Sequence, residues 1–546
     1  MPGGLLPLVA YGAQNIVVNG NPQFTYFRKT FMRHTHFSSE PIQVELTGPK
    51  EMSMDAPILL KAKIPRHGDL VRDMVLRFQL PDIYSKIYQD ASGNLVRTPH
   101  EFAWVRQIGA RLIDRVTLTI GGSKIQEFTG DWIATRASLD LDNTQYVKWQ
   151  YLVGDIPELF DPANGIYADP TGLYPNVVKW TTGPQQINAP SIPGRELRIP
   201  LNLFFCDDNS LALPLVALQL HEVEIQIMLR PIRDLYTVKD PSGVRLRYGL
   251  RSLPYLPSDQ YTSVWDPSVL GTLPETLNNR VGAYSDPSGA LRYFLVDFNT
   301  TPPLSDGWPI NASLETTYIY LNDSERIQFA TKPLSYLCRQ VSYFNFDGIS
   351  NRDFYDMYSS NLVSRLVWII RRSDSLSSRN DWTNLSNWMY SQSSSRPLAY
   401  PLTGQTVPAG VGRSGLLVQG LQRDIVRGAR LLGNGNELFS YQNQAYFRDY
   451  QLYKNIKGGG IPYELNGLLT QTSMWPIFVY SFALNGSDPI QPSGSINASR
   501  FNSFQLDLDV EAIPTGSFYT YDLTVFAESY NFVEFTKGMA GLKYAI

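Results

Sequence analysis

Val116-Thr-Leu-Thr-Ile120 alternates apolar and polar residues, meets Gly121-Gly122, and resumes as Ile125–Phe128. A period of two is the mark of a half-buried strand. Two glycines between such runs signal a tight hairpin, because the favoured turns need positive φ. Behind the hairpin, Gly130-Asp-Trp-Ile-Ala-Thr-Arg136 predicts a short helix with Asp131 as its candidate cap. The same succession of strand, glycine turn, strand and aromatic helix returns at Ala429–Phe447, around Gly433-Asn-Gly435. Gln219-Leu-His-Glu-Val-Glu-Ile225 is echoed by Gln505-Leu-Asp-Leu-Asp-Val-Glu511, and Val71–Asp82 by Ser364–Asp374. One such pair can arise by chance between amphipathic strands. Three pairs in the same order point to a duplicated all-β domain, hence two antiparallel sandwiches.

The rest of the chain agrees with a large β protein. Its 546 residues exceed one ordinary core and suggest two domains with large loops. Tyr (32), Phe (26) and Trp (10) are plentiful, with 40 Gly and 37 Pro, which favours short strands and turns over long helices. Charged residues are only 18%, so much surface is expected to be buried against partners. The net charge is −3 and no Lys/Arg cluster stands out, which argues against direct nucleic-acid binding. Cys206 and Cys338 make no disulfide framework and fit assembly in a reducing host cytoplasm. No charged segment precedes the apolar stretch Leu5–Ala10, which is therefore not read as a signal peptide. No apolar run reaches the roughly 18 residues needed to span a bilayer.

Residues 1–36 read as an arm. Ile42–Leu46, Val75–Leu80, Leu197–Leu201, Leu366–Ile370, Phe478–Leu484 and Phe504–Val510 read as strands. In the stretch from Leu211, Val223, Ile225, Ile227 and Leu229 share one face, and Glu222, Glu224 and Gln226 the other. Asn322-Asp-Ser-Glu-Arg326 predicts a capped helical turn. Residues 155–195, 232–314 and 375–425 read as long Pro-, Ser- and Asn-rich loops, of a length usually tied to function.

Catalytic and metal chemistry find no foothold. His34 and His36 form an H-x-H pair with no third ligand nearby. His221-Glu222 lies in a strand and lacks the second histidine of a helical zinc motif. Lys457-Gly-Gly-Gly lacks the Ser/Thr and the helix of a phosphate loop. The expectation is no enzyme, no metal site and no cofactor. Sequons occur at Asn299, Asn311, Asn322, Asn384, Asn485 and Asn497, and Asn299, Asn311 and Asn384 are the glycosylation candidates because they fall in expected loops.

The opening Met1–Leu46 joins a Gly-rich apolar start, Asn21-Pro-Gln23 and an aromatic and basic run over Phe24–His36. It closely resembles the start of the major capsid proteins of large icosahedral double-stranded DNA viruses. Further blocks resemble the same family: Pro65–Val71, Ile113–Gly122, Asp208–Val223, Tyr480–Asn485 with Gln491–Arg500, and Tyr530–Leu542. The resemblance covers about 400 residues in fixed order, while 232–314 and 375–425 depart from it. It implies a double jelly roll, two eight-stranded antiparallel β-sandwiches side by side with long loops and a few short helices. It assigns 1–36 to an arm at the capsomer base, 37–230 to the first jelly roll, 231–314 to an inserted loop or linker, and 315–546 to the second jelly roll with its tail. It implies a virion protein that forms homotrimers of pseudo-hexameric outline and tiles the capsid with neighbouring capsomers. Minor capsid proteins and an internal membrane would lie beneath, and the outer loops would face a host receptor or its surface glycans. An alternative from the residues alone is a carbohydrate-binding or glycoside-acting β-sandwich, which aromatic loops and acidic strand faces would suit.

Overall fold

In the computed structural model, Gly121 and Gly122 hold φ of +59° and +82°, and Asn434 and Gly435 hold +51° and +80°. Positive φ at both central residues is the geometry of a type I′ hairpin. The two sequence echoes therefore close two hairpins of one kind. The structure describes residues 4–29, 31–84, 87–89, 95–97, 101–162, 190–239, 245–246, 291–296, 305–377, 380–387, 424–458, 477–513 and 519–544.

The first sandwich is built from β1 (Phe37–Glu45), β2 (Ile58–Lys63), β3 (Leu70–Gln79), β4 (Ile113–Ile120), β5 (Ser123–Thr129), β6 (Glu196–Pro200), β7 (Leu213–Pro214), β8 (Val223–Leu229) and β9 (Ala312–Leu321). One sheet runs β1-β9-β3, with β6 and β7 both pairing β3, and the other runs β2-β8-β4-β5. The second sandwich is built from β10 (Leu334–Ile349), β11 (Asp353–Asp356), β12 (Leu362–Arg372), β13 (Val426–Gly433), β14 (Asn436–Asn443), β15 (Phe478–Ser481), β16 (Ile496–Asn497), β17 (Phe504–Val510) and β18 (Tyr521–Thr536), followed by β19 (Met539–Leu542). Its sheets run β10-β18-β12-β15, with β16 on β12 and β19 on β18, and β11-β17-β13-β14.

Counting the broken sixth strand once, both units have the order 1-8-3-6 in one sheet and 2-7-4-5 in the other, all antiparallel. That is the jelly-roll connection, made twice. The three sequence echoes occupy equivalent places: β4–β5 with β13–β14, β8 with β17, and β3 with β12. The eight expected strands per unit are present, with the sixth split in two and β19 added at the end.

Alternation sets the registers. Val44, Leu314, Leu76 and Ile199 form one cross-strand row, all buried. Burying one face fixes register, since a one-residue slip would turn that row to solvent. Val223, Ile225, Ile227 and Leu229 are buried as the alternation required. The helix Asp323–Thr331 begins at Asn322, whose Oδ1 accepts from Glu325 N at 2.9 Å.

Some expectations need correction. Residues 312–321, expected in the linker and the start of the second sandwich, instead form β9, which pairs β1 and β3 and closes the first. Pairing partners are not written in a single strand's alternation. The segment after β8 is thus an insertion within the first unit. Nor is it all open loop. Tyr236–Lys239 pairs Glu101–Trp104, Tyr236 stacks on Phe102 at 5.0 Å, and Leu291, Phe294 and Trp308 are buried in the same core. Residues 380–387 of the third expected loop are also largely buried. Residues 163–189, 240–244, 247–290, 297–304, 378–379 and 388–423 of these stretches lie outside the described residues. The cap of the helix Gly130–Asp140 is Thr129, which accepts from Trp132 N at 3.3 Å, and Asp131 serves elsewhere.

Candidate functional site: the seam and the arm

The helix Gly130–Asp140 follows the first hairpin and lies between the sandwiches. Gly130 is required there, because a Cβ would sit 2.2 Å from the carbonyl oxygens of Ala110 and Ile113. A carboxylate marks each end of the helix, and each draws arginines from both units.

At the C-terminal end, Arg365 of β12 grips Asp140 with two bonds, Nη1–Oδ1 at 2.8 Å and Nη2–Oδ2 at 2.9 Å. Its Nε donates to Glu528 of β18. Arg136 reaches Asp207 at 2.7 Å and Asp140 at 3.2 Å, and Arg339 of β10 reaches Asp207 at 3.0 Å. Three guanidiniums and three carboxylates thus neutralise one another in a cluster where Arg365 is fully buried. Burial alone would raise the Asp140 carboxyl, but Arg365, Arg339 and Arg136 outweigh it and hold it well below the usual carboxylate range.

At the N-terminal end, Asp131 meets Arg111, Arg371 at 3.5 Å and Arg230 at 3.7 Å. Burial opposes its ionisation, and Arg371, Arg111 and Arg230 again prevail, pushing it down. Arg111 is itself lowered to about 10 by burial and by its two cationic neighbours. The face of Trp382 covers the group, 4.0 Å from the Arg230 guanidinium, and supplies further compensation. Trp382 Nε1 donates to Asp234 O at 3.0 Å, and Asn380 Nδ2 to Arg233 O and Tyr236 O. Second-unit residues 380–387 are thereby buckled onto the first unit.

Apolar packing crosses the same boundary. Trp132 meets Phe526 at 5.1 Å, and Val367, Ile369 and Val533 belong to the first unit's core cluster. Gln126 Nε2 donates to Arg339 O and Gln340 Nε2 to Ile125 O, joining β5 to β10. The two sandwiches are locked side by side by both polar and apolar contacts.

The arm is the opposite case. Short helices Leu5–Val9 and Ile16–Asn19 precede a turn bridged between Thr25 and Arg28. Leu6, Leu8, Val17, Val18, Tyr26 and Phe31 are all exposed, Phe27 is 99% exposed and Met32 is 95% exposed. A run of exposed apolar side chains of this size marks an interaction surface. No helix among the described residues is long and apolar enough to cross a membrane.

The other candidates fall apart spatially. His34 and His36 sit exposed on the arm, while His221 Nδ1 accepts from Ala540 N at 3.2 Å and ties β19 to the first unit. Among the described residues no group of three His, Cys, Asp or Glu is placed to hold a metal. Cys206 and Cys338 are free thiols, both raised by burial. Of the sequon asparagines, Asn311 is exposed and Asn299 lies outside the described residues. Asn384 is 1% exposed and its Oδ1 accepts from Ser386 Oγ at 2.7 Å. A glycan has no room there in the folded chain, so that candidate is withdrawn. The seam arginines went unnoticed in the sequence. The available signal was Arg365, Arg371 and Arg372 inside an otherwise apolar strand, since a charge in a buried strand needs a partner.

Two antiparallel jelly rolls locked side by side define a double jelly-roll protein. Solved structures share that fold. The quasi-atomic model of the PBCV-1 virus capsid aligns with TM-score 0.60 at 20% identity, over 96% of this chain and 100% of that one. The Faustovirus major capsid protein aligns with TM-score 0.59 at 13% identity, over 96% and 94%. The sequence matches the family described as major capsid protein N-terminus over residues 25–248, and large eukaryotic DNA virus major capsid protein over 325–541. It is 26% identical to the major capsid protein of Phaeocystis pouchetii virus and 24% identical to that of Paramecium bursaria Chlorella virus 1, with both chains covered completely. The chain belongs to the major capsid protein family of large eukaryotic DNA viruses. It is a structural component of the virion capsid, and its relatives are shell proteins rather than enzymes. Nothing among them supports the carbohydrate-acting alternative.

Proposed function

We propose that three copies of this chain close into a capsomer of pseudo-hexagonal outline that tiles the shell. The observation that carries this reading is the repeated strand order. Two sandwiches of one topology, held rigidly side by side, let three chains present six similar wedges around one axis. Closed cyclic assembly of this kind needs a fixed angle between the wedges. The charge clusters at the two ends of Gly130–Asp140 supply that fixity. The building units are the arm 1–36, a first jelly roll closed by β9, and a second from β10 onward.

The arm is the docking element in this reading. It buries nothing on its own subunit among the described residues, so its apolar face calls for a partner. Minor capsid proteins, a neighbouring subunit or an internal membrane beneath the shell offer one. A host receptor or its glycans would meet the outer surface of the shell, and of the three candidate sequon asparagines Asn311 is exposed. Assembly takes place in the host cytoplasm, which the two free thiols suit. Electron microscopy of the purified protein tests the reading. Hexagonal particles with three-fold averaging support it, and elongated single subunits refute it.

A further inference from the structure

A cavity of about 540 Å³ lies at the seam, walled by the helices Gly130–Asp140 and Asn143–Val153 of the first unit and by Arg339, Ser487 and Pro489 of the second. Its volume is within the range of small-molecule sites, about 300–1,000 Å³. Its lining has two characters. Trp149, Leu141, Leu152 and Pro489 make much of it apolar. Against them stand three cations, Arg136, Lys148 and Arg339, and two carboxylates, Asp140 and Asp207.

The charges do not cancel within the lining. Arg365 and Glu528, which complete the neighbouring cluster, add one charge of each sign and leave the balance unchanged. The excess is one positive charge, and Lys148 is the cation without an acidic partner among the described residues. Arg339 is 6% exposed, and its Nε and Nη1 have no hydrogen-bond partner, although carboxylates of Glu528 and Asp140 stand 3.5 and 3.8 Å from Nη1. Those two atoms are themselves buried, so an occupant of the cavity meets Arg339 through the rest of its side chain and through its charge.

We propose that this cavity binds a small amphipathic monocarboxylate, its head met by Lys148 and Arg339 and its apolar body lying along Trp149 and Leu152. A second carboxylate on the ligand would face Asp140 and Asp207 and be repelled. A neutral ligand would leave the excess charge unanswered. The occupant touches both units, so it acts as a staple: binding only when the seam is closed, it raises the stability of the closed form by linkage.

The test uses the full chain with decanoate, decanol and decyltrimethylammonium, each at submillimolar concentration, by calorimetric titration and thermal unfolding. Decanoate is expected to bind at one site per subunit and to raise Tm in a saturable way, while the neutral and cationic analogues do neither. Lys148→Glu is expected to weaken decanoate about tenfold by reversing the rim charge. Leu152→Trp is expected to block the cavity. Lys148 is exposed and Leu152 is 40% exposed, so each variant should keep the ligand-free Tm of the parent. Absence of saturable decanoate binding overturns the proposal. So does equal binding of decanol, or undiminished binding in both variants, which would mean adsorption elsewhere on the surface.

Discussion

Arg365 of the second sandwich holds Asp140 of the first through two bonds of 2.8 and 2.9 Å, more than two hundred residues apart in the chain. This bidentate pair spans the seam and orients one unit on the other. Arg365→Met leaves Asp140 and Glu528 short of a partner in a buried site, and breaking one side of a buried pair costs about 3–5 kcal/mol. A clear fall in denaturant midpoint is therefore expected. The double change Arg365→Met, Glu528→Gln, which removes one charge of each sign and leaves Arg136 and Arg339 facing Asp140 and Asp207, should recover part of the loss. Equal stability of the single and parent proteins would show that the pair does not hold the seam.

The glycines make a contrasting pair of predictions. At Gly130 a Cβ would collide with two backbone oxygens that cannot move aside, so Gly130→Ala should abolish soluble folded protein. At Gly122 the space around a Cβ is open and only the positive φ is unfavourable, which costs about 1–2 kcal/mol. Expression and thermal unfolding of the two variants, side by side, check the ranking.

Acid stability carries two opposite signs. Asp131 and Asp140 are held below their ordinary value of 3.8, so the stability they contribute is complete above about pH 4 and is lost as pH falls further. Asp522 is raised to about 6, first by burial and then by Asp347. The folded state then binds the extra proton, so stability falls as pH rises from about 4 through 6. Asp522→Asn should flatten that slope and stabilise the protein at pH 7, by about 1 kcal/mol once solvent screening is allowed for. Denaturant melts across pH 4–7 measure it, and an unchanged slope would assign the dependence to other groups.

The exposed arm should be dispensable for folding and required for assembly. Deletion of residues 2–20 is expected to leave Tm within a degree or two, since it removes exposed apolar residues that bury nothing of their own subunit among the described residues. Incorporation into particles should fail. Loss of the capsomer itself would make the arm part of the fold, and normal particles would deny it a docking role.

Much of the fold was legible because duplication wrote it twice. The glycine hairpins at Gly121-Gly122 and Asn434-Gly435, and the alternating Val223–Leu229 and Phe504–Val510, carry local signals strong enough to read alone. The place of Ala312–Leu321 was not legible, because its partners in β1 and β3 lie far away in sequence. The same holds for the seam. Asp140 is an unremarked acid at the end of a helix until Arg339 and Arg365 arrive from the other unit. Trp382 lies in a Ser- and Asn-rich stretch with no strand pattern, and the sequon at Asn384 says nothing of its burial. Local periodicity predicts elements; the contacts that join two units are non-local.

The most direct test of the account is the mass of the assembled protein in solution, by light scattering on a sizing column or by native mass spectrometry. A shell building block made of two locked jelly rolls is predicted to run at three times the 61.7 kDa subunit, with no populated monomer at micromolar concentration. A stable species at 61.7 kDa, or a dimer, would contradict it.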